Sequence, residues 1–120
     1  MPYSDTVHTV IQTLSFEASV KRVKMGEGEV TTTVDYVASN PKGGEVMVGT
    51  GGVRKARIAK PGAGKSGGYR VVWWFGGDDI PIFLLSAFGK NEKDNLSKAE
   101  CNALRRLTAT LRESLTRKDK

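Results

Sequence analysis

The stretch "VRKARIAKPGAGKSGGYRVVWWF", Val53 to Phe75, decides the fold, because two runs rich in β-branched and aromatic residues flank a segment of glycine and lysine. We predict strands over Val53–Ala59 and Tyr69–Phe75, joined by a nine-residue hairpin loop over Lys60–Gly68. Strand side chains alternate between the two faces of a sheet. The two predicted strands can therefore be read face by face.

Their apolar side chains fall on one face: Ala56, Ile58, Val71, Trp73 and Phe75. Burying this face places Lys55, Arg57 and Arg70 together on the outer face, with Val72 and Trp74 beside them. Neighbours on one strand face are about 7 Å apart, close to the spacing of consecutive phosphates. The opposite choice would bury Arg70, which is costly for an unpaired charge. Parity therefore predicts a cationic patch on the sheet.

The letters GAGKS within this stretch come close to a phosphate-binding P-loop. In a P-loop four residues separate the first glycine from Gly-Lys-Ser, and a helix starts at the lysine. Here Ala59 takes the place of that glycine, and Lys65-Ser66 is followed by two glycines and a strand pattern. We therefore expect no P-loop.

The rest of the chain completes an α+β pattern of order β-α-α-β-β-β-α, a small and mainly antiparallel twisted sheet packed on helices. The further predicted elements are a strand in "HTVIQT" (8–13), a helix from Ser15 with Gly26 at its C-cap, a helix over Val30–Val37, a short extended piece in "VMVGTGG" (46–52), a strand over Ile80–Phe88 and a final helix with Ser97 at its N-cap. We expect residues 1–120 to form a single domain, with an ordered core of about 8–115.

Composition restricts the function. No apolar run reaches the 18 residues of a membrane span, and the N-terminus lacks the layout of a signal peptide. The single cysteine, Cys101, suits a reducing cytoplasm, and we expect it to pack rather than react. The one histidine, His8, is expected to be structural, and no cluster of metal ligands or cofactor motif is visible. We expect a cytoplasmic protein without metal or cofactor.

The net charge of +6 is concentrated in the middle of the chain. Residues 46–77 contain no acidic side chain, but they contain six basic ones: Arg54, Lys55, Arg57, Lys60, Lys65 and Arg70. Such a patch attracts a polyanion, most simply nucleic acid. A merely solvated basic face is the alternative.

Without a metal, RNA can still be cleaved by its own 2′-hydroxyl. This reaction needs a base for that hydroxyl, cations for the phosphorane and a proton for the leaving oxygen. Arginine keeps its proton, whereas a lysine crowded by other cations has a lowered pKa and can act as a base. Lys55, Lys65 and Lys90 are the candidates.

The segments "GTGGVRKARIAKPGAGKSGGYRVVWWF" and "FLLSAFGKNEKDNLS" resemble the RelE/ParE toxin superfamily, in particular its HigB-like branch, over about Gly49–Ser97. The resemblance implies a β-α-α-β-β-β-α fold whose sheet carries a basic active surface. It implies a toxin of a type II toxin–antitoxin system that cuts mRNA in the ribosomal A site. It also implies a cognate antitoxin protein, expected to be of helix-turn-helix type, and contact with the ribosome and mRNA.

Carried over by position, Lys55 and Arg57 occupy two basic strand positions of RelE, and Arg57 aligns with the lysine considered its general base. Arg70 matches the arginine that contacts the scissile phosphate. Asn91 replaces the arginine proposed as general acid, and the RelE tyrosine that stacks on the mRNA base has no obvious counterpart, so Phe88 or a tryptophan would stack instead.

We therefore predict two sets of site residues. The catalytic set is Lys55, Arg57, Lys65, Arg70 and Lys90, with Lys65 or Lys90 transferring protons and the arginines stabilising the phosphorane. The RNA-binding set is Arg54, Lys60, Phe88, Asn91 and Lys93. Two alternatives stay open: a ParE-like inhibitor of DNA gyrase, and a nucleic-acid-binding relative without catalysis.

Overall fold

The computed structural model describes residues 8–58, 68–89, 92 and 96–116 of the chain, and in this part it has three helices and one five-stranded sheet. In chain order the elements are β1 (Val10–Gln12), α1 (Leu14–Val23), α2 (Glu27–Ser39), β2 (Glu45–Val46), β3 (Val53–Ile58), β4 (Tyr69–Trp74), β5 (Ile82–Phe88) and α3 (Lys98–Thr116). The strand order is β1-β5-β4-β3-β2, with β1 parallel to β5 and all other neighbours antiparallel. The predicted α+β class and mainly antiparallel sheet are confirmed, and the two-residue β2 is an addition.

Strands β3 and β4 form the predicted hairpin. They pair over their whole length, from Val53 opposite Trp74 to Ile58 opposite Tyr69. The predicted loop lies almost entirely outside the described residues, which resume at Gly68. The element that follows GAGKS is strand β4 rather than a helix, so the P-loop interpretation is excluded.

Helix α1 ends, and helix α2 begins, earlier than the sequence pattern predicts. Lys24 is the C-cap of α1 and adopts a left-handed conformation with φ of 61°. Gly26, predicted as this C-cap, is instead the N-cap of α2, and its backbone N–H donates a 2.7 Å hydrogen bond to the Glu29 carboxylate. That bond satisfies one of the backbone N–H groups at the start of the helix, so α2 includes the residues before Val30.

Helices α1 and α2 cover one face of the sheet, and side chains from both layers form a continuous apolar cluster. Its fully buried members are Phe16, Val37, Val71, Trp73, Ile82, Leu84 and Ala87. The apolar face predicted by parity lies here, since Ile58 is buried in the cluster and Ala56 and Phe75 pack against it.

Helix α3 packs on one end of the opposite face. Leu104 and Leu111 contact a second cluster that contains Val72 and Trp74, which are 4% and 0% exposed. The expectation that these two residues lie on an open outer face is therefore wrong. The leucine stripe of α3 needs an apolar partner, and this end of the sheet provides it.

The start of α3 is as predicted. The Ser97 backbone N–H donates to the Glu100 carboxylate (2.8 Å), and the Glu100 N–H donates to the Ser97 hydroxyl (3.1 Å), which is a reciprocal capping box. No described helix has the length and apolar content needed to cross a membrane.

The Gly-Thr-Gly-Gly turn at 49–52 ties β3 to α3. Thr50 is fully buried, and its hydroxyl accepts a 3.0 Å hydrogen bond from the Val53 N–H. Its carbonyl accepts a 3.2 Å bond from the Thr108 hydroxyl, and the Gly51 carbonyl accepts a 3.3 Å bond from the Trp74 indole N–H. The turn therefore fixes the start of β3 against the helix.

Two glycines of this turn form a matched pair for testing that role. Gly49 and Gly51 both have φ of 81°, but an added Cβ meets open space at Gly49 and overlaps the Thr108 hydroxyl at Gly51. We expect Gly49→Ala to cost about 1 to 2 kcal/mol from the left-handed backbone alone, and Gly51→Ala to cost a further ~1 to 3 kcal/mol from overpacking. Urea unfolding of both variants measures the difference, and equal losses would contradict the contact between turn and helix.

Tyr69 predicts a pH dependence of stability at alkaline pH. Burial of the phenol, with smaller contributions from the charge of Glu29 and a 3.2 Å hydrogen bond to it, raises the pKa of Tyr69 above its ordinary value. The folded state therefore favours the neutral phenol, and its contribution is complete below the unfolded pKa of about 10 and is lost as the pH rises through the higher folded pKa. Relative to Tyr69→Phe, the free energy of unfolding of the wild type should fall above pH of about 10. A constant difference between the two proteins would contradict this coupling.

Candidate functional site

Three basic side chains share the sheet face that α3 leaves open, and we call Lys55, Arg57 and Arg70 the basic cluster. Arg57 lies directly opposite Arg70 in the antiparallel pairing, and Lys55 lies opposite Val72. Directly opposed residues point to the same face, and so do residues two apart on one strand. The predicted grouping of these three residues is confirmed.

The basic cluster lines a pocket of about 320 Å³. Its lining consists of Glu45, Lys55, Ala56, Arg57 and Arg70. A water molecule occupies about 30 Å³ in the liquid, so the pocket has room for a group the size of a phosphodiester. Arg70, on β4, is half-buried, whereas Arg57, on β3, is exposed.

The opposition of Arg57 and Arg70 sets the electrostatics of the pocket. Directly opposed side chains have Cβ atoms about 5 Å apart, and like charges in that position repel each other. A bound oxyanion relieves the repulsion by accepting hydrogen bonds from both guanidinium groups, which present donors in a fixed planar fork. The arrangement suits an anion with several oxygens, such as a phosphate or the phosphorane formed from it.

Arg54 lies on the opposite face of the sheet from this cluster. It is adjacent to Lys55 on β3, and its guanidinium Nη1 donates to the backbone carbonyls of Lys42 (2.9 Å) and Gly43 (3.3 Å). Its predicted place among the RNA-binding residues therefore conflicts with its position. These hydrogen bonds from Arg54 hold the loop between α2 and β2.

Phe88 borders the basic cluster, as its predicted role requires. It lies opposite Arg70 in the pairing of β4 with β5 and is half-buried. The Arg22 guanidinium lies 5.7 Å from the centre of its ring, and Arg22 also donates hydrogen bonds of 2.9 and 3.1 Å to the Glu92 carboxylate. The bond to Glu92 raises the pKa of Arg22. The charge pair fixes a cation over Phe88.

An apolar groove of about 530 Å³ begins at Phe88 and runs between α3 and the start of α1. Leu14 on its rim is 83% exposed, and Leu107 is 40% exposed. Few polar groups line it, among them Ser86 and Glu100. The groove therefore places apolar surface next to the basic cluster on the same side of the sheet.

Sequence reasoning missed Glu45, the one carboxylate among the described residues that line the pocket of the basic cluster. It is exposed on the two-residue strand β2 and lies opposite Lys55. A strand of two residues leaves no periodic pattern in the sequence, so only the pairing of β2 with β3 reveals this position.

Five predicted site residues lie outside the described residues, and their assignments stay predictions: Lys60, Lys65, Lys90, Asn91 and Lys93. In sequence, Lys60 lies two residues after the end of β3, and Lys90 lies two residues after the end of β5.

His8 lies apart from the basic cluster. Its Nε2 is 3.2 Å from the Asp78 carboxylate, and its ring meets Phe75 edge to face at 5.2 Å, at the other end of β4. Within the described part of the chain, no group of three or more His, Cys, Asp or Glu side chains is arranged to hold a metal ion.

Comparison with protein families matches residues 8–119 to the model of the RelE toxin of the RelE / RelB toxin–antitoxin system. The match covers nearly the whole chain, including the hairpin that carries the basic cluster and helix α3 that packs beside it. The small α+β architecture agrees with it. The chain belongs to the RelE toxin family.

Proposed function

We propose that this protein is a ribosome-dependent mRNA endonuclease that cuts in the A site without a metal ion. The observation that carries the proposal is the open pocket in which Arg57 opposes Arg70 beside Lys55. Family membership implies a cognate antitoxin that neutralises the toxin. The helix-turn-helix type of that antitoxin and action on cytoplasmic ribosomes are part of the proposal.

The reaction is attack of an RNA 2′-hydroxyl on the adjacent phosphorus. In the phosphorane the equatorial oxygens carry more negative charge than in the ground state, so cations fixed around them accelerate the step. Arg57 and Arg70 face one pocket from two neighbouring strands, and they stabilise this charge. Because the hairpin holds both residues before RNA binds, little reorganisation is needed.

The neighbouring aromatic surface suits the bases of the RNA. Phe88 is opposite Arg70, so a base stacked on it would leave its phosphate within reach of the basic cluster. Lys65 and Lys90 stay candidates for proton transfer.

Primer extension on an mRNA translated in a purified system tests the proposal directly. We expect cuts within A-site codons when this protein and ribosomes are both present, and none when ribosomes are omitted. Cuts in both conditions would support the nuclease activity and contradict its dependence on ribosomes. Absence of cuts in both conditions would overturn the proposal and direct the work to a gyrase supercoiling assay.

Arg70→Ala should lower the cleavage rate by about 100-fold or more, because it removes a preorganised cation from the phosphorane. Arg106→Ala is the matched control, since Arg106 is exposed on α3 away from the pocket. Circular dichroism of both variants should match that of the wild type. Cleavage by Arg70→Ala at the control rate would show that Arg70 does not contribute to catalysis.

Arg57 and Arg54 form a second matched pair, because they lie on opposite faces of one strand. Arg57→Ala should weaken binding to RNA with a 2′-deoxy cleavage site and reduce the slope of log K against log salt by about 0.7, the value for one phosphate contact on a single strand. Arg54→Ala should lower stability through the loss of its bonds to the loop and leave the slope unchanged. Binding titrations at several salt concentrations measure both slopes, and a reduced slope for Arg54→Ala would place its charge at the RNA.

A further inference from the structure

We propose that Glu45 is the general base that takes the proton from the attacking 2′-hydroxyl. This inference rests on the proposed nuclease function and assigns a step that the arginines of the pocket cannot perform. Glu45 lines the pocket with Lys55, Arg57 and Arg70 and is in register with Lys55 across the β2–β3 pair. No salt bridge involves Glu45 among the described residues, so its carboxylate is available to a ligand.

The loop that carries Glu45 is held by side chains from the sheet. The Trp73 indole N–H donates a 3.0 Å hydrogen bond to the Pro41 carbonyl, and Arg54 donates to the next two carbonyls. The Gly43 N–H donates 2.8 Å to the Asn40 carbonyl. These bonds fix the path of the backbone up to Gly43, two residues before Glu45.

Gly44 brings β2 close enough to β3 to place Glu45 over the pocket. Its φ is +67°, and a Cβ added there would overlap the Lys55 carbonyl and touch the ring of Trp73. Only glycine allows this approach. Gly44, Arg54 and Trp73 together therefore position Glu45. Arg54 serves this purpose from the face of the sheet that lies away from the pocket.

A carboxylate suits the proton transfer better than the cations around it. An ionised carboxylate can accept a proton, whereas arginine is always protonated and a lysine must first lose its proton. Attack of the 2′-oxygen on phosphorus forms the 2′,3′-cyclic phosphate as the bond to the 5′-oxygen breaks. The 2′-hydroxyl proton passes to the Glu45 carboxylate, and the departing 5′-oxygen takes a proton from the Lys55 ammonium. Solvent then restores both groups.

This assignment separates cleavage from binding. Glu45 is negatively charged and lies among three cations, so removing its charge strengthens the attraction of the pocket for phosphate. Glu45→Gln should therefore bind RNA with a 2′-deoxy cleavage site as tightly as the wild type or more tightly, while it cuts RNA more slowly. A residue with only a structural role would weaken both.

The experiment is single-turnover cleavage of mRNA on programmed ribosomes by the full-length protein, with binding of the 2′-deoxy mRNA measured in parallel. We expect Glu45→Gln to cleave at least about 100-fold more slowly than the wild type, with Glu45→Asp between them. Glu17→Gln, which changes an exposed glutamate on α1, is the control and should cleave at the wild-type rate.

The pH profile supplies an independent readout. Charged groups facing Glu45 among the described residues are Lys55 and Arg57 from β3 and Arg70 from β4. Since a base must be deprotonated before it can accept a proton, the rates of the wild type and of Glu17→Gln should fall together as the pH is lowered. That fall should be missing in Glu45→Gln.

The outcomes distinguish this inference from the proposed function. A wild-type protein that leaves RNA intact on ribosomes overturns both. A wild type that cuts, with Glu45→Gln within threefold of Glu17→Gln, overturns the role of Glu45 alone. Equal losses of cleavage and of 2′-deoxy RNA binding in Glu45→Gln would also reject it as the base.

Discussion

The repulsion between Arg57 and Arg70 has to be offset by packing in the rest of the structure. Two guanidinium groups directly opposite each other on neighbouring strands oppose the pairing of those strands. The hairpin forms because apolar side chains of β4 are buried on both faces of the sheet. Trp73 lies under the helices on one side and Trp74 under α3 on the other, and both are fully buried. Burial of two tryptophans contributes several kcal/mol, more than the roughly 1 kcal/mol that like charges at directly opposed strand positions cost. The cations are thus kept together for a ligand by packing elsewhere on the same strands.

Glycines brace β3 at its start and beside Lys55, and each brace also reaches the aromatic core. At one end, the carbonyl of Gly51 accepts a hydrogen bond from Trp74, and the backbone packs on α3. Next to the pocket, Gly44 packs against the Lys55 carbonyl and the ring of Trp73. A strand held in this way cannot relieve the repulsion by twisting away from its neighbour. Gly44 and Gly51, which lie outside the P-loop-like stretch, therefore hold the strand rigid instead of loosening it.

Much of this could be predicted from sequence, and the failures have physical causes. Alternation along β3 and β4 predicted the basic cluster correctly, because register within a hairpin follows from the strands themselves. The same alternation places Arg54 on the other face of the strand. Its assignment to RNA was based on its charge and disregarded the face on which it lies. The cover over Trp74 was missed because periodicity shows that a face is apolar but not which helix covers it. Glu45 was missed because its position depends on a tertiary pairing of two residues.

One sheet face serves both packing and chemistry, and a change of register lies in its packed part. The pairing of β4 with β5 shifts between Val72 and Trp73, leaving Leu85 as an extra residue without a partner. A bulge of this kind bends a strand and increases its local twist. Val72 and Trp74 lie on either side of the shift, and both are buried in the cluster against which α3 packs. Leu85 is buried in the same cluster, so the extra residue adds apolar surface under α3. Arg70 lies beyond Val72, at the end of the face that α3 leaves open. The sheet therefore concentrates its apolar side chains at the end that packs on the helix, and it leaves the other end to the cations.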